Sequence, residues 1–80
     1  MINELVLYSR EGCHLCDDLL ADLRGFSEFE SLPLTVVDID KDAELMKQYN
    51  HDVPVLTFGG QLVCKHFLNP QALREVMSRG

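Results

Sequence analysis

Apolar residues along the chain gather in short runs and stripes whose spacing changes from one segment to the next. Leu5-Val6-Leu7-Tyr8 is a continuous apolar run the length of a buried strand, and the Ser9-Arg10-Glu11-Gly12 stretch behind it reads as a turn. In the following segment Cys16, Leu19, Leu20 and Leu23 fall at the spacings of one buried helix stripe, while His14, Asp17, Asp18 and Ala21 take other faces. That helix is expected to end near Gly25 or to run on to Phe29. Pro33 opens a second apolar run, Leu34 to Ile39, whose β-branched Thr35, Val36, Val37 and Ile39 suit a fully buried strand.

A second helix is expected from Asp40 as N-cap, with Asp42 and Glu44 in the first turn, where the helix dipole favours acids. Ala43, Leu45, Met46 and Tyr49 carry it to about Asn50. Val55-Leu56-Thr57-Phe58 and Leu62-Val63-Cys64-Lys65 are separated by Gly59-Gly60-Gln61, and glycines able to take positive φ make this a β-hairpin. Asn69 followed by Pro70 matches an N-cap with proline at the first helical position, opening a last helix that buries Leu73, Val76 and Met77. The order is βαβ, α, ββα. With no repeat, low-complexity tract or linker, residues 1–80 are expected to form one domain.

Charge narrows the partners. Seven Lys and Arg against thirteen Asp and Glu give a net charge of −6, and the basic residues are scattered. Nucleic acid and anionic membrane surfaces both need basic patches, so neither is an expected partner. No window approaches the ~20 apolar residues of a membrane span. MINELVLYSR lacks the basic start and long apolar run of a signal peptide, and a cytoplasmic, monomeric protein is expected.

Candidate chemistry sits in "EGCHLCDDLL", residues 11–20, where two thiols three positions apart mark the change from strand to helix. An odd total of three cysteines without secretory context argues against a structural disulfide framework. Three readings remain: a redox pair, part of a zinc site with Cys64 and His66, or core cysteines of a redox-inert binding module. Helical geometry separates the two thiols. Cys13 precedes the first hydrogen-bonded turn, where unpaired N–H groups and the dipole favour an anion, whereas Cys16 lies on the leucine stripe. Around Cys13, Arg10 and the helix terminus favour the thiolate, and Glu11, Asp17 and Asp18 oppose it.

The C-x-x-C directly after the first strand, as LYSREGCHLC, together with Val53-Pro54 in DVPVLTF before the third, resembles the thioredoxin superfamily in its glutaredoxin-like form. Cys-His-Leu-Cys looks most like small bacterial glutaredoxin-like proteins. The resemblance spans essentially the whole chain and implies an α/β thioredoxin-like fold, βαβ-α-ββα, with a four-stranded mixed sheet flanked by helices. It implies a thiol–disulfide oxidoreductase with Cys13 as nucleophile and Cys16 as resolving thiol. It also implies a cis Val53–Pro54 bond that presents backbone to a substrate chain. Arg10, in the place of the basic residue that often precedes the dithiol, and His14, where many relatives carry proline, join Val53 and Pro54 as expected substrate contacts. The alternative for His14 is an exposed polar residue on the face away from the leucines.

One departure bears on the cofactor. Glutathione-using relatives typically carry Gly-Gly and an acidic residue between the fourth strand and last helix, whereas this chain reads VCKHFLNPQAL. No cofactor or metal is therefore expected, although Asn69 and the following helix N-terminus offer a place for a glutathione carboxylate. The expected partners are a disulfide-containing protein or small molecule and a reductase-type electron donor. Cys64 is expected to act as a small buried hydrophobe, and His51 and His66 as surface or partly buried polar residues.

Overall fold

A computed structural model describes residues 4–79; residues 1–3 and 80 of the expected 1–80 domain lie outside the described residues. Strand β1 (Leu5–Ser9) leads into helix α1 (His14–Arg24), a one-turn helix α2 (Ser27–Glu30) and strand β2 (Leu34–Asp38). A 3₁₀ turn (Ile39–Lys41) and helix α3 (Ala43–Tyr49) follow, then strands β3 (Val55–Phe58) and β4 (Gln61–Lys65) and helix α4 (Pro70–Arg79). The sheet order is β2-β1-β3-β4. β1 and β2 are parallel, as a helical crossover between them requires, and β3 runs antiparallel to both neighbours. This is the mixed four-stranded α/β fold expected from the element order.

The register decides what each face buries. Leu5 lies opposite Phe58 and Leu7 opposite Leu56, so all four point to one face. There they meet Leu19 and Leu23 of α1, Phe29 of α2, and Leu73 and Val76 of α4, forming the main core. On the other face, where Tyr8 pairs with Val55, α3 packs against Tyr8, with the Tyr8 and Tyr49 rings 4.8 Å apart. Thr57 is buried on that side and its hydroxyl donates to the Val6 carbonyl at 3.5 Å. No helix among the described residues is long and apolar enough to cross a membrane.

Several local expectations need correction. The run Leu34 to Ile39 is not a fully buried strand: β2 stops at Asp38 and lies at the sheet edge, leaving Val36 51% exposed. Only Ile39, beyond the strand in the 3₁₀ turn, is completely buried. Asp40 does not cap α3. Asp42 does, its carboxylate accepting from the N–H groups of Glu44 and Leu45, while Asp38 caps the 3₁₀ turn by accepting from Asp40. Of the two expected ends of the first helix the one near Gly25 is found: α1 stops at Arg24 with Gly25 as its C-cap, and Phe29 belongs to a separate turn from Ser27 because the Phe26 backbone is extended. The hairpin loop is only Gly59-Gly60, at φ of +57° and +86°, so Gln61 belongs to β4. Asn69 caps α4 as expected, its side-chain oxygen accepting from Ala72 N–H at 3.1 Å.

Candidate functional site

Strand registers bring four connecting segments to one end of the sheet. Ser9 pairs with Asp38, Tyr8 with Val55, and Val55 with Lys65. The turn before α1, the segment after β2, the segment before β3 and the segment after β4 therefore meet around the start of α1. The dithiol is at that start.

Gly12, at φ +77°, turns the chain so that the Cys13 N–H donates to the Arg10 carbonyl at 3.2 Å. Cys13 then takes an extended conformation as the N-cap, and its Sγ accepts from the Cys16 N–H at 3.2 Å. A sulfur here performs the role usually taken by a Ser or Asp oxygen, next to the positive end of a three-turn helix. Cys13 is half-buried and Cys16 is 4% exposed, packed in the stripe with Leu19 and Leu23. Burial, then the hydrogen bond to Cys13 and the Cys13 and Asp17 charges, push the Cys16 thiol up to about 12. A backbone hydrogen bond from Arg10 works the other way.

Arg10 is anchored within the protein. Its Nε donates to Asp40 Oδ1 and Oδ2 at 3.0 and 3.2 Å, and its Nη2 lies 2.9 Å from Oδ1. The same guanidinium donates to the Asn50 carbonyl at 3.3 Å and to Asn50 Oδ1 at 3.1 Å. His14 is exposed at the first position of α1. Val53 is half-buried and lies outside the strand ladder, its N–H and C=O without a hydrogen-bond partner among the described residues. The Val53–Pro54 peptide bond is cis, and the buried Pro54 gives its carbonyl to His66 N–H at 2.8 Å.

Sequence reasoning missed Asp40 and Asn50 as partners of Arg10, 30 and 40 residues away, because no local pattern signals such a contact. It also missed the turn after β4. There His66 sits at φ +68°, Phe67 N–H donates to the Lys65 carbonyl at 2.7 Å, and the Phe67 side chain is 67% exposed. Such a three-residue turn is uncommon for a residue other than glycine, and propensity gives no hint of it.

Cys64 faces Leu56 across the β3–β4 pair and packs against the main core, and burial raises its thiol pKa against a backbone hydrogen bond from Asn69. Among the described residues, no three His, Cys, Asp or Glu side chains are grouped so as to hold a metal ion. The quartet Cys13, Cys16, Cys64 and His66 is therefore not assembled as a zinc site.

A family described as "Glutaredoxin-like domain (DUF836)" matches residues 4–78. Among solved structures, protein Ne2328 from Nitrosomonas europaea is similar at 35% identity and a TM-score of 0.82, covering 95% of this chain and 92% of that one. A structural-genomics target protein from X. campestris is similar at 30% identity and a TM-score of 0.71, covering 95% of this chain and 97% of that one. Mitochondrial thioredoxin 3 from Saccharomyces cerevisiae shares the fold at 18% identity and a TM-score of 0.62, covering 100% of this chain and 81% of that one. No curated protein matches the sequence significantly.

Proposed function

The chain belongs to the glutaredoxin-like domain family, and on that premise we propose that it is a thiol–disulfide oxidoreductase using Cys13 as nucleophile and Cys16 as resolving thiol. The observation that carries this reading is the asymmetry of two thiols one helical turn apart. Cys13 is reachable at a helix N-terminus and accepts a hydrogen bond, whereas Cys16 is buried and held protonated.

In the first step the Cys13 thiolate attacks one sulfur of a substrate disulfide. The S–S bond breaks, the departing substrate sulfur leaves with the electron pair and takes a proton, and a mixed disulfide on Cys13 remains. Cys13 can then no longer carry a negative charge, so two of the influences that hold the Cys16 proton are removed at the step that needs its thiolate. Cys16 loses its proton to solvent and attacks Cys13 Sγ, and the second substrate thiol is released. The substrate has gained two electrons and two protons, and Cys13 and Cys16 form a disulfide. A dithiol donor of the reductase type reverses that oxidation.

The backbone of Val53 supports a protein substrate, since an extended segment can pair with its N–H and C=O as an added strand. His14 and the exposed Phe67 frame the same end of the sheet and would meet residues flanking the substrate cysteine. The test is reduction of a protein disulfide by wild type, Cys13→Ser and Cys16→Ser. Turnover should vanish without Cys13, and Cys16→Ser should accumulate a mixed disulfide with the substrate. Undiminished turnover in Cys13→Ser overturns the proposal.

A further inference from the structure

Arg10 touches three of the four segments that form the site: the dithiol turn, the segment after β2 and the segment before β3. Its carbonyl receives the Cys13 N–H, and its backbone also bonds Cys16. Its guanidinium holds Asp40 in the 3₁₀ turn with a two-pronged contact and both oxygens of Asn50, the C-cap residue of α3. Asn50 is three residues before Val53. One side chain thus ties the dithiol turn to the segment that leads into Val53–Pro54, across sequence separations of 30 and 40 residues.

The placement of charge distinguishes two roles for this residue. Were Arg10 present to stabilise a thiolate or capture an anionic substrate, its cation would face the sulfur or solvent. Instead its Nε and Nη2 are aligned on the Asp40 carboxylate, 30% and 41% exposed side chains making a fork-to-carboxylate pair. The remaining donors cap the α3 terminus. A lysine would keep the positive charge but supply neither the planar fork nor the simultaneous reach to Asp40 and Asn50.

We infer that Arg10 is a positioning residue, setting the Cys13 turn against the Val53 backbone edge through its grip on Asp40 and Asn50 rather than acting through its charge. This rests on the oxidoreductase reading given above. Displacing a substrate-pairing edge by even an ångström is enough to cost on the order of 100-fold in rate. The neighbouring groups that could report on charge are Glu11, Asp17 and Asp18, all exposed near the dithiol.

The experiment compares wild type with Arg10→Lys and Arg10→Gln in two readouts. In reduction of a protein disulfide, both variants should lose about tenfold or more in kcat/KM, mostly through KM, as expected for a misplaced docking edge. In reduced protein without substrate, the pH midpoint for alkylation of Cys13 by iodoacetamide should match wild type in both variants, and amide exchange across residues 50–53 should speed up in both. Lysine restoring wild-type kinetics while glutamine does not, or an alkylation midpoint that moves in Arg10→Gln alone, overturns the inference in favour of a charge role. Wild-type kinetics in both variants overturns it outright. If wild type itself reduces no disulfide, the oxidoreductase reading fails, and the alkylation and exchange results still decide the role of Arg10.

Discussion

The hydrogen bond between Cys13 and Cys16 joins the half-buried thiol to the backbone of the buried one: the Cys16 N–H donates to Cys13 Sγ across 3.2 Å. This contact makes the helix start a sulfur-capped terminus, with Cys13 as the cap and Cys16 in the first turn of α1. Their surroundings differ sharply within that one turn, and the consequences can be measured.

Limited alkylation of the reduced protein should label Cys13 well before Cys16 and Cys64. Both of the latter have thiol pKa values raised by burial, and Cys16 is raised to about 12. Peptide mapping after sub-stoichiometric iodoacetamide reads the order. Equal labelling of all three in the native protein would falsify the asymmetry, and loss of selectivity in denaturant serves as the control.

Stability of the reduced protein should fall in alkali more steeply than ordinary Lys and Tyr titration accounts for. The folded-state pKa of Cys16 lies above its usual value of 9.0, so below about pH 9 both states hold the proton and the contribution is complete. Between about 9 and about 12 the unfolded chain releases that proton while the folded chain keeps it, which favours unfolding. Cys64 shifts in the same direction. Denaturant midpoints measured from pH 8 to 11 should therefore decline less in Cys16→Ala than in reduced wild type. Parallel decline in the two proteins would show that Cys16 is not held protonated by the fold.

Phe29 anchors α2 in the main core at 1% exposure, and Phe29→Ala should cost about 3–5 kcal/mol. An 80-residue domain has only about 4 to 12 kcal/mol in total, so the variant should be partly or wholly unfolded at 25 °C. Gly12→Ala probes a different term. A Cβ on Gly12 meets nothing within 4 Å, but its φ of +77° strains any L side chain, so the cost should be about 1–2 kcal/mol with no clash. Gly12→Asn should cost less, since asparagine tolerates that region. Denaturant titrations of the three variants give the ranking.

The features legible in the sequence were those written in local spacing. The stripe Cys16, Leu19 and Leu23 identifies α1 and its buried face, Gly59-Gly60 identifies the hairpin, and Asn69-Pro70 identifies the start of α4. What failed depended on tertiary placement. The run Leu34 to Ile39 has the composition of an inner strand, yet strand order places β2 at the edge, so Val36 remains half-exposed. Asp40 and Asp42 are equivalent as caps in sequence; the 3₁₀ turn uses up Asp40 and Arg10 claims its carboxylate. The dithiol was readable because its spacing is local. The Arg10 anchor and the left-handed His66 were not, because one depends on residues 30 and 40 positions away and the other on a backbone turn that histidine rarely adopts.

Glutathione should be a poor electron donor for this protein, and the reason lies at the start of α4. A glutathione carboxylate would need free N–H groups there, as helix N-termini usually provide. In this chain Pro70 has no N–H, Ala72 N–H is taken by the Asn69 side chain at 3.1 Å, and Leu73 N–H by the Asn69 carbonyl at 3.2 Å. The nearby cations are engaged as well, Arg10 by Asp40 and Lys65 by Asp52 at 3.1 Å, while Glu11, Asp17 and Asp18 are exposed around the dithiol. An anionic tripeptide therefore meets a largely self-satisfied helix end and, from carboxylates within the ~8 Å beyond which physiological salt screens charge, an unfavourable field. A dithiol donor needs no such site in the proposed mechanism, in which Cys16 resolves the mixed disulfide from within. Reduction of a small disulfide should accordingly depend on both Cys13 and Cys16 and run faster with dithiothreitol or a thioredoxin-reductase-type donor than with glutathione at equal reducing capacity. Robust glutathione-coupled turnover that survives Cys16→Ser would mean that a monothiol route operates and that the α4 terminus does accept the tripeptide.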